Sequence, residues 1–152
     1  GQTTRAYSAV LQYLANHGYV VLGINNRGSS GYGKTFYTAD DGKHGREPLW
    51  DCIEAKKYLQ SLPYVDPDRI GIAGGSYGGY MTLATLTNYP ERVRAGVDVV
   101  GISHFGTFLK NTESYRRDLR RVNALMGNAR VMAGAVCGAV PQAVPRAACC
   151  LW

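Results

Sequence analysis

The sequence predicts an α/β fold, a parallel sheet with flanking helices, and three observations carry that reading. Helical apolar stripes alternate with short apolar runs rich in β-branched residues, the connectors between them are short, and glycine clusters fall where strand gives way to helix. Strand, helix, strand, helix, strand in that order needs right-handed crossovers. Such a sheet gathers its ligands at the carboxyl ends of its strands.

The elements follow one another along the chain. From Thr4 to His17, Tyr7, Val10, Leu11 and Leu14 recur at spacings of three and four, a helical stripe, with Gly18 placed to cap its end. Tyr19 to Ile24 reads as a buried strand, and the glycine- and serine-rich run Asn25 to Gly33 as a loop. Pro48 suits the first turn of a second helix, expected to run to about Leu62. A turn from Pro63 to Asp68 leads into a strand, Arg69 to Ala73, which Gly74 and Gly75 are expected to break. A third helix is predicted from Tyr77 to Asn88, stopped by Pro90, and a last strand from Ala95 to Val100.

Composition narrows the function classes. With 45% hydrophobic and 18% charged residues, the chain of 152 residues is globular and large enough for one core. No apolar run is long enough to span a membrane, so no membrane association is expected. The start, Gly1 to Arg5, lacks the basic and apolar stretches of a signal peptide and reads like the middle of a longer protein. The net charge of +6 comes largely from Arg92 to Arg121, but Glu91, Asp98, Glu113 and Asp118 are interspersed there. That pattern is a solvated mixed-charge surface, and no nucleic-acid partner is expected. Cys52, Cys137, Cys149 and Cys150 have neither metal-ligand spacing nor a disulfide pattern, so reduced thiols and a cytoplasmic rather than secreted setting are expected, with no metal and no cofactor.

The chemistry concentrates at Gly74-Gly75-Ser76-Tyr77-Gly78, which fits G-x-S-x-G between a predicted strand and a predicted helix. A serine on so sharp a turn has strained backbone, and side chains two positions to either side would collide with neighbouring elements. The helix N-terminus behind it offers free N–H groups to a developing oxyanion. Ser76 is therefore the predicted nucleophile and the N–H of Tyr77 a predicted oxyanion donor.

Around this motif the sequence resembles the prolyl oligopeptidase family of serine peptidases. Asp51, Ala55 and Leu59 recur every four residues on one helical face, followed at the family's spacing by Gly74-x-Ser76-x-Gly78-Gly79-Tyr80-Met81. Asn26 to Gly33 and Val65 to Ile70 are similar to family segments as well. The resemblance covers about Ala6 to Val122, and the Asn25 to Gly33 run and the Phe105 region look most like the acylaminoacyl-peptidase branch. It implies a partial α/β-hydrolase fold, incomplete at both ends, acting on short peptides through an acyl-enzyme on Ser76, with a propeller domain usually preceding it. It also implies that Ile102, Phe105 and Phe108, with Tyr77, line the pocket for the residue before the scissile bond. Ordinary core packing accounts for Ile102 and the two phenylalanines equally well.

Parts of the family pattern are missing. An upstream His-Gly-Gly-Pro-like stretch does not occur, and the acid and histidine that should follow the serine in that order have no counterpart. The acidic residues stop at Asp118 and the last histidine is His104. Asp98 lies inside a predicted strand, His17 at a helix end and His44 in a polar loop, leaving His104, near the end of the last predicted strand, as the one histidine with any claim to be a base. From Asn123 to Trp152 there is no Asp, Glu, Lys or Tyr. Residues 1–122 are thus expected to be a partial peptidase domain. Residues 123–152 are expected to be a tail of out-of-frame or otherwise non-native sequence, with a hydrophobic helix near Ala129 to Val140 as the other reading. Little or no peptidase activity is expected of this chain. The alternatives are an esterase or lipase on the same fold and a non-catalytic binding module.

Overall fold

The computed structural model describes residues 1–115 and the backbone of 148–151. The first helix, α1 (Ala9–Asn16), starts where the Ser8 hydroxyl accepts the Leu11 N–H, 3.4 Å. It ends at Gly18, whose φ of 83° lets its own N–H reach the Ala15 carbonyl while Tyr19 N–H reaches that of Leu14. The helix is shorter than the predicted Thr4 to His17. Tyr7 and Val10, expected on its buried stripe, are 83% and 64% exposed, because α1 lies against a short strand at the edge of the sheet and only Leu11 and Leu14 turn inward. That strand is β1 (Val20–Gly23), two residues shorter than predicted and half-buried rather than buried.

A short helix, α2 (Lys34–Tyr37), follows the glycine-rich loop. The next, α3 (Glu47–Gln60), has Pro48 in its first turn as expected and buries Pro48, Leu49, Cys52 and Leu59. Strand β2 (Ile70–Gly75) leads into α4 (Tyr77–Asn88), whose bounds are those predicted. Gly74 and Gly75 do not break β2 but extend it, since they pair in register with Asp98 and Val99 of β3 (Ala95–Val99). Beyond β3 lies α5 (Phe105–Lys110).

The sheet is parallel throughout, in the order β1-β4-β2-β3, where β4 (Ala148–Leu151) pairs with β1 on one side and β2 on the other. The reading of 123–152 as a non-native tail, and of a helix near Ala129 to Val140, concerns residues that otherwise lie outside the described ones. Among the described residues β1 and β3 form the two edges of the sheet, and Val97, Val99 and Val100, on or just after β3, are more than half exposed. No described helix is long and apolar enough to cross a membrane.

Among the described residues two clusters form the core. Leu49, Cys52, Ile72, Tyr80, Met81, Ala84 and Phe105 join α3, β2, α4 and α5. Leu59, Val65 and Ile70 form the other, with Val20 and Leu22 of β1 against it. The α4 sequence, with two glycines and three threonines, is a poor helix former. Burial holds it instead, and the threonine hydroxyls bond the carbonyls four residues back: Thr82 to Gly78, 3.0 Å, and Thr85 to Met81, 2.7 Å.

Candidate active site

Ser76 sits between β2 and α4 with φ 54° and ψ −111°, a conformation that costs a residue with a side chain about 1–3 kcal/mol. Its neighbours impose that shape. Ser76 N–H bonds the Val99 carbonyl, 3.0 Å, and the Ser76 carbonyl accepts the Tyr80 N–H, 3.1 Å. A methyl at Gly74 would overlap the Gly78 carbonyl, and one at Gly79 would overlap the Asp98 carboxylate and the Gly101 backbone. The glycines on either side of the serine are thus a steric requirement. Val100, with φ 49°, is the other non-glycine residue in left-handed backbone among the described residues, and it stands at the adjacent strand end. Strain is concentrated at this corner of the molecule.

The serine is exposed there, at the carboxyl end of β2. Tyr77, Gly78 and Gly79 open α4, so their N–H groups have no partner four residues back in the helix and face the same end. The structure gathers the predicted pocket residues beside them: Tyr77, Ile102 and Phe108 all pack against the cluster containing Phe105. Phe105 meets Tyr80 edge-on at 4.9 Å and Phe108 at 6.2 Å. Burial pushes the Tyr80 phenol up to about 12 and that of Tyr77 further, with the Asp40 carboxylate adding to the Tyr77 effect. Both rings therefore remain neutral phenols at any working pH.

None of the three histidines has a hydrogen bond to Ser76. His17 Nδ1 bonds the Tyr13 carbonyl, 2.7 Å. His104 caps α5, its Nδ1 accepting the Thr107 N–H at 3.0 Å, so its ring is spent on a helix end. The third, His44, is where the sequence reading and the structure part. Assigned to a polar loop without a role, it is half-buried, with Nδ1 2.7 Å from the Tyr77 hydroxyl and its ring stacked on Phe105 at 6.2 Å. Asp98 lies on the edge strand β3 as expected, its carboxylate against Gly79 and Gly101.

A second polar contact had no signal in the sequence beyond the helix-face position of Asp51. Its carboxylate takes Arg27 in a fork, Nη2 to Oδ1 at 2.6 Å and Nε to Oδ2 at 2.9 Å, and also accepts the Arg27 main-chain N–H, 3.0 Å. The hydrogen bond to Asp51 holds the guanidinium protonated above its ordinary range. This clamp ties the Asn25 to Gly33 loop to α3. Among the described residues, no group of three His, Cys, Asp or Glu side chains is placed to hold a metal ion.

Comparison with known proteins bears on the whole arrangement. The family model described as prolyl oligopeptidase family matches residues 5–126. The chain is 39% identical over 129 residues to dipeptidyl aminopeptidase BIII of Pseudoxanthomonas mexicana, an alignment covering 84% of this chain and 19% of that protein. It is 37% identical over 117 residues to dipeptidyl peptidase family member 6 of Caenorhabditis elegans, covering 74% of this chain and 16% of the other. Among solved structures it is similar to the Pyrococcus horikoshii acylaminoacyl peptidase, with a TM-score of 0.59 and 31% identity over 68% of this chain and 17% of that one. The chain thus spans less than a fifth of the length of these relatives, and the part it shares with them carries the strand, turn and helix around Ser76. With its parallel sheet, flanking helices and G-x-S-x-G turn, the chain belongs to the prolyl oligopeptidase family of serine peptidases, as part of an α/β-hydrolase domain.

Proposed function

We propose that Ser76 is the nucleophile of a serine peptidase that acts on short peptides. The observation that carries the reading is the strained, exposed serine between β2 and α4, held in that shape by its close-packed surroundings. In the complete reaction the Ser76 hydroxyl gives up its proton to a general base and attacks the scissile carbonyl. The Tyr77 N–H stabilises the oxyanion, and as the intermediate collapses the base returns that proton to the leaving nitrogen, releasing the amine and leaving an acyl-enzyme for water to cleave. Tyr77, Ile102, Phe105 and Phe108 offer an apolar wall for the residue whose carbonyl is attacked.

The base is the missing part. None of the three histidines of the sequence hydrogen-bonds Ser76, which supports reading this chain as one without a base for that proton. Loss of triad members lowers turnover by several orders of magnitude, while an oxyanion site alone retains some acceleration. Peptide turnover by this chain is accordingly expected to be close to background. An activated fluorophosphonate tests the nucleophile directly: slow covalent labelling is expected, lost in Ser76→Ala. Labelling that persists in the variant would remove Ser76 from the mechanism, and rapid Ser76-dependent peptide turnover would refute the missing base.

A further inference from the structure

We propose that His44 is a positioning residue for Tyr77, holding its phenol and, through it, the main-chain N–H that follows Ser76. The proposal rests on the reading of Ser76 and Tyr77 above.

Tyr77 is the first residue of α4, flanked by Ser76 and by Gly78 and Gly79, which have no side chains. Between Ser76 and Tyr80 its ring is thus the one side chain through which the surroundings can hold the first turn. What holds the ring is local and specific. With the imidazole neutral and its proton on Nε2, the phenol donates to His44 Nδ1 at 2.7 Å, and the two rings meet edge-on at 5.3 Å. The imidazole also stacks on Phe105, with 20° between the planes. A phenol partly buried against the core is disfavoured without an acceptor, so the bond has a directional preference.

The loop that delivers His44 is itself shaped for the task. Gly42 and Gly45 have φ of 73° and 87°, and the Lys43 N–H bonds the Asp40 carbonyl at 2.9 Å, closing a turn just before the histidine. At Gly45 any side chain would press on the Tyr80 hydroxyl, 2.8 Å away, so the loop lies directly on the first turns of α4. A small displacement of a reacting group lowers rates steeply, and a phenol anchored from outside the helix guards against one.

The bond and the ring packing separate cleanly by substitution. His44→Phe keeps a ring on Phe105 and loses the acceptor. His44→Asn loses the ring and keeps an acceptor where Nδ1 stood. The full chain, labelled with 15N-tyrosine, is compared as wild type, His44→Phe, His44→Asn and His44→Ala, with Ser76→Ala and Tyr77→Phe as controls. The readouts are the Tyr77 amide resonance, assigned by its loss in Tyr77→Phe, and the rate of fluorophosphonate labelling. His44→Phe and His44→Ala are expected to move the amide and slow labelling about tenfold, with His44→Asn within about threefold of wild type. If His44→Ala does not fold, the Phe and Asn variants carry the test. A wild-type amide and rate in His44→Phe would overturn the proposal, leaving the histidine a packing residue. Failure of the underlying reading looks different: labelling that ignores Ser76→Ala removes Ser76, and there, as where nothing labels, the Tyr77 amide decides on His44 alone.

Discussion

Two helices of this protein, α1 and α4, are built by opposite means. Every local rule favours α1: an apolar stripe, a serine cap and a glycine in left-handed backbone at its end. Yet it buries no residue, and Tyr13 on it is 62% exposed. The α4 sequence breaks the rules for helix formers with Gly78, Gly79, Thr82, Thr85 and Thr87, and it buries seven residues. Local preference writes a helix at the edge of the sheet, whereas tertiary packing writes one at the candidate site. That difference suits a turn that must hold a strained serine, because strain persists only where the surroundings over-determine it.

Adding one methyl beside each helix should show the contrast most visibly. At Gly18, which is exposed, φ of 83° makes alanine strained, and Gly18→Ala should cost about 1 kcal/mol. At Gly74 the methyl would overlap the Gly78 backbone, which cannot give way without moving the whole turn. Gly74→Ala is expected to cost more than about 3 kcal/mol, enough to leave the chain unfolded or insoluble. Urea midpoints of the two variants measure the contrast. Equal losses would mean that α4 is no more constrained than α1.

The same contrast marks what the sequence makes legible. The bounds of α4 and the start of α3 could be read because their signals, Gly75-Ser76 before one, Pro48 and Pro90 as punctuation, are local. The fate of Gly74 and Gly75 could not, since glycine breaks a strand by propensity but pairs readily when a neighbour such as β3 supplies the register. His44 was missed for a related reason: its partner, Tyr77, lies 33 residues on, and nothing in a Lys-His-Gly loop says which helix it will cover. Arg27 and Asp51, 24 residues apart, are the same case. Glycines announce where the backbone must be tight. Polar partners across the fold are chosen by geometry that only folding creates.

The Arg27–Asp51 clamp sharpens the comparison at an intermediate scale, being a long-range polar contact on the less buried side of the molecule. Its side chains remain 33% and 21% exposed, which moderates its worth. The fork and the main-chain bond together should still make Arg27→Ala cost about 1–2 kcal/mol. A double-mutant cycle with Asp51→Ala should return a coupling of roughly 1 kcal/mol. Additive losses would show that the loop is fixed by its glycines alone.

The smallest expected effect concerns Asp40, whose half-buried carboxyl lies against Gly28, where a side chain would overlap it. Burial raises its pKa above the ordinary 3.8, with the charge interaction with His44 offsetting part of the shift. A carboxyl whose folded pKa is raised favours the folded state fully below the unfolded value, and this contribution is lost as pH rises through the folded value. At pH 7 the ionised group is therefore a net burden, and Asp40→Asn should stabilise the protein by less than about 1 kcal/mol. Below pH 3.8 the advantage should vanish, because the wild-type carboxyl is then neutral in both states. Urea midpoints at pH 7 and at acid pH measure both predictions. If Asp40→Asn instead destabilises at neutral pH, attraction between Asp40 and His44 outweighs the burial, and the loop over α4 is held by charge as well as by its turn.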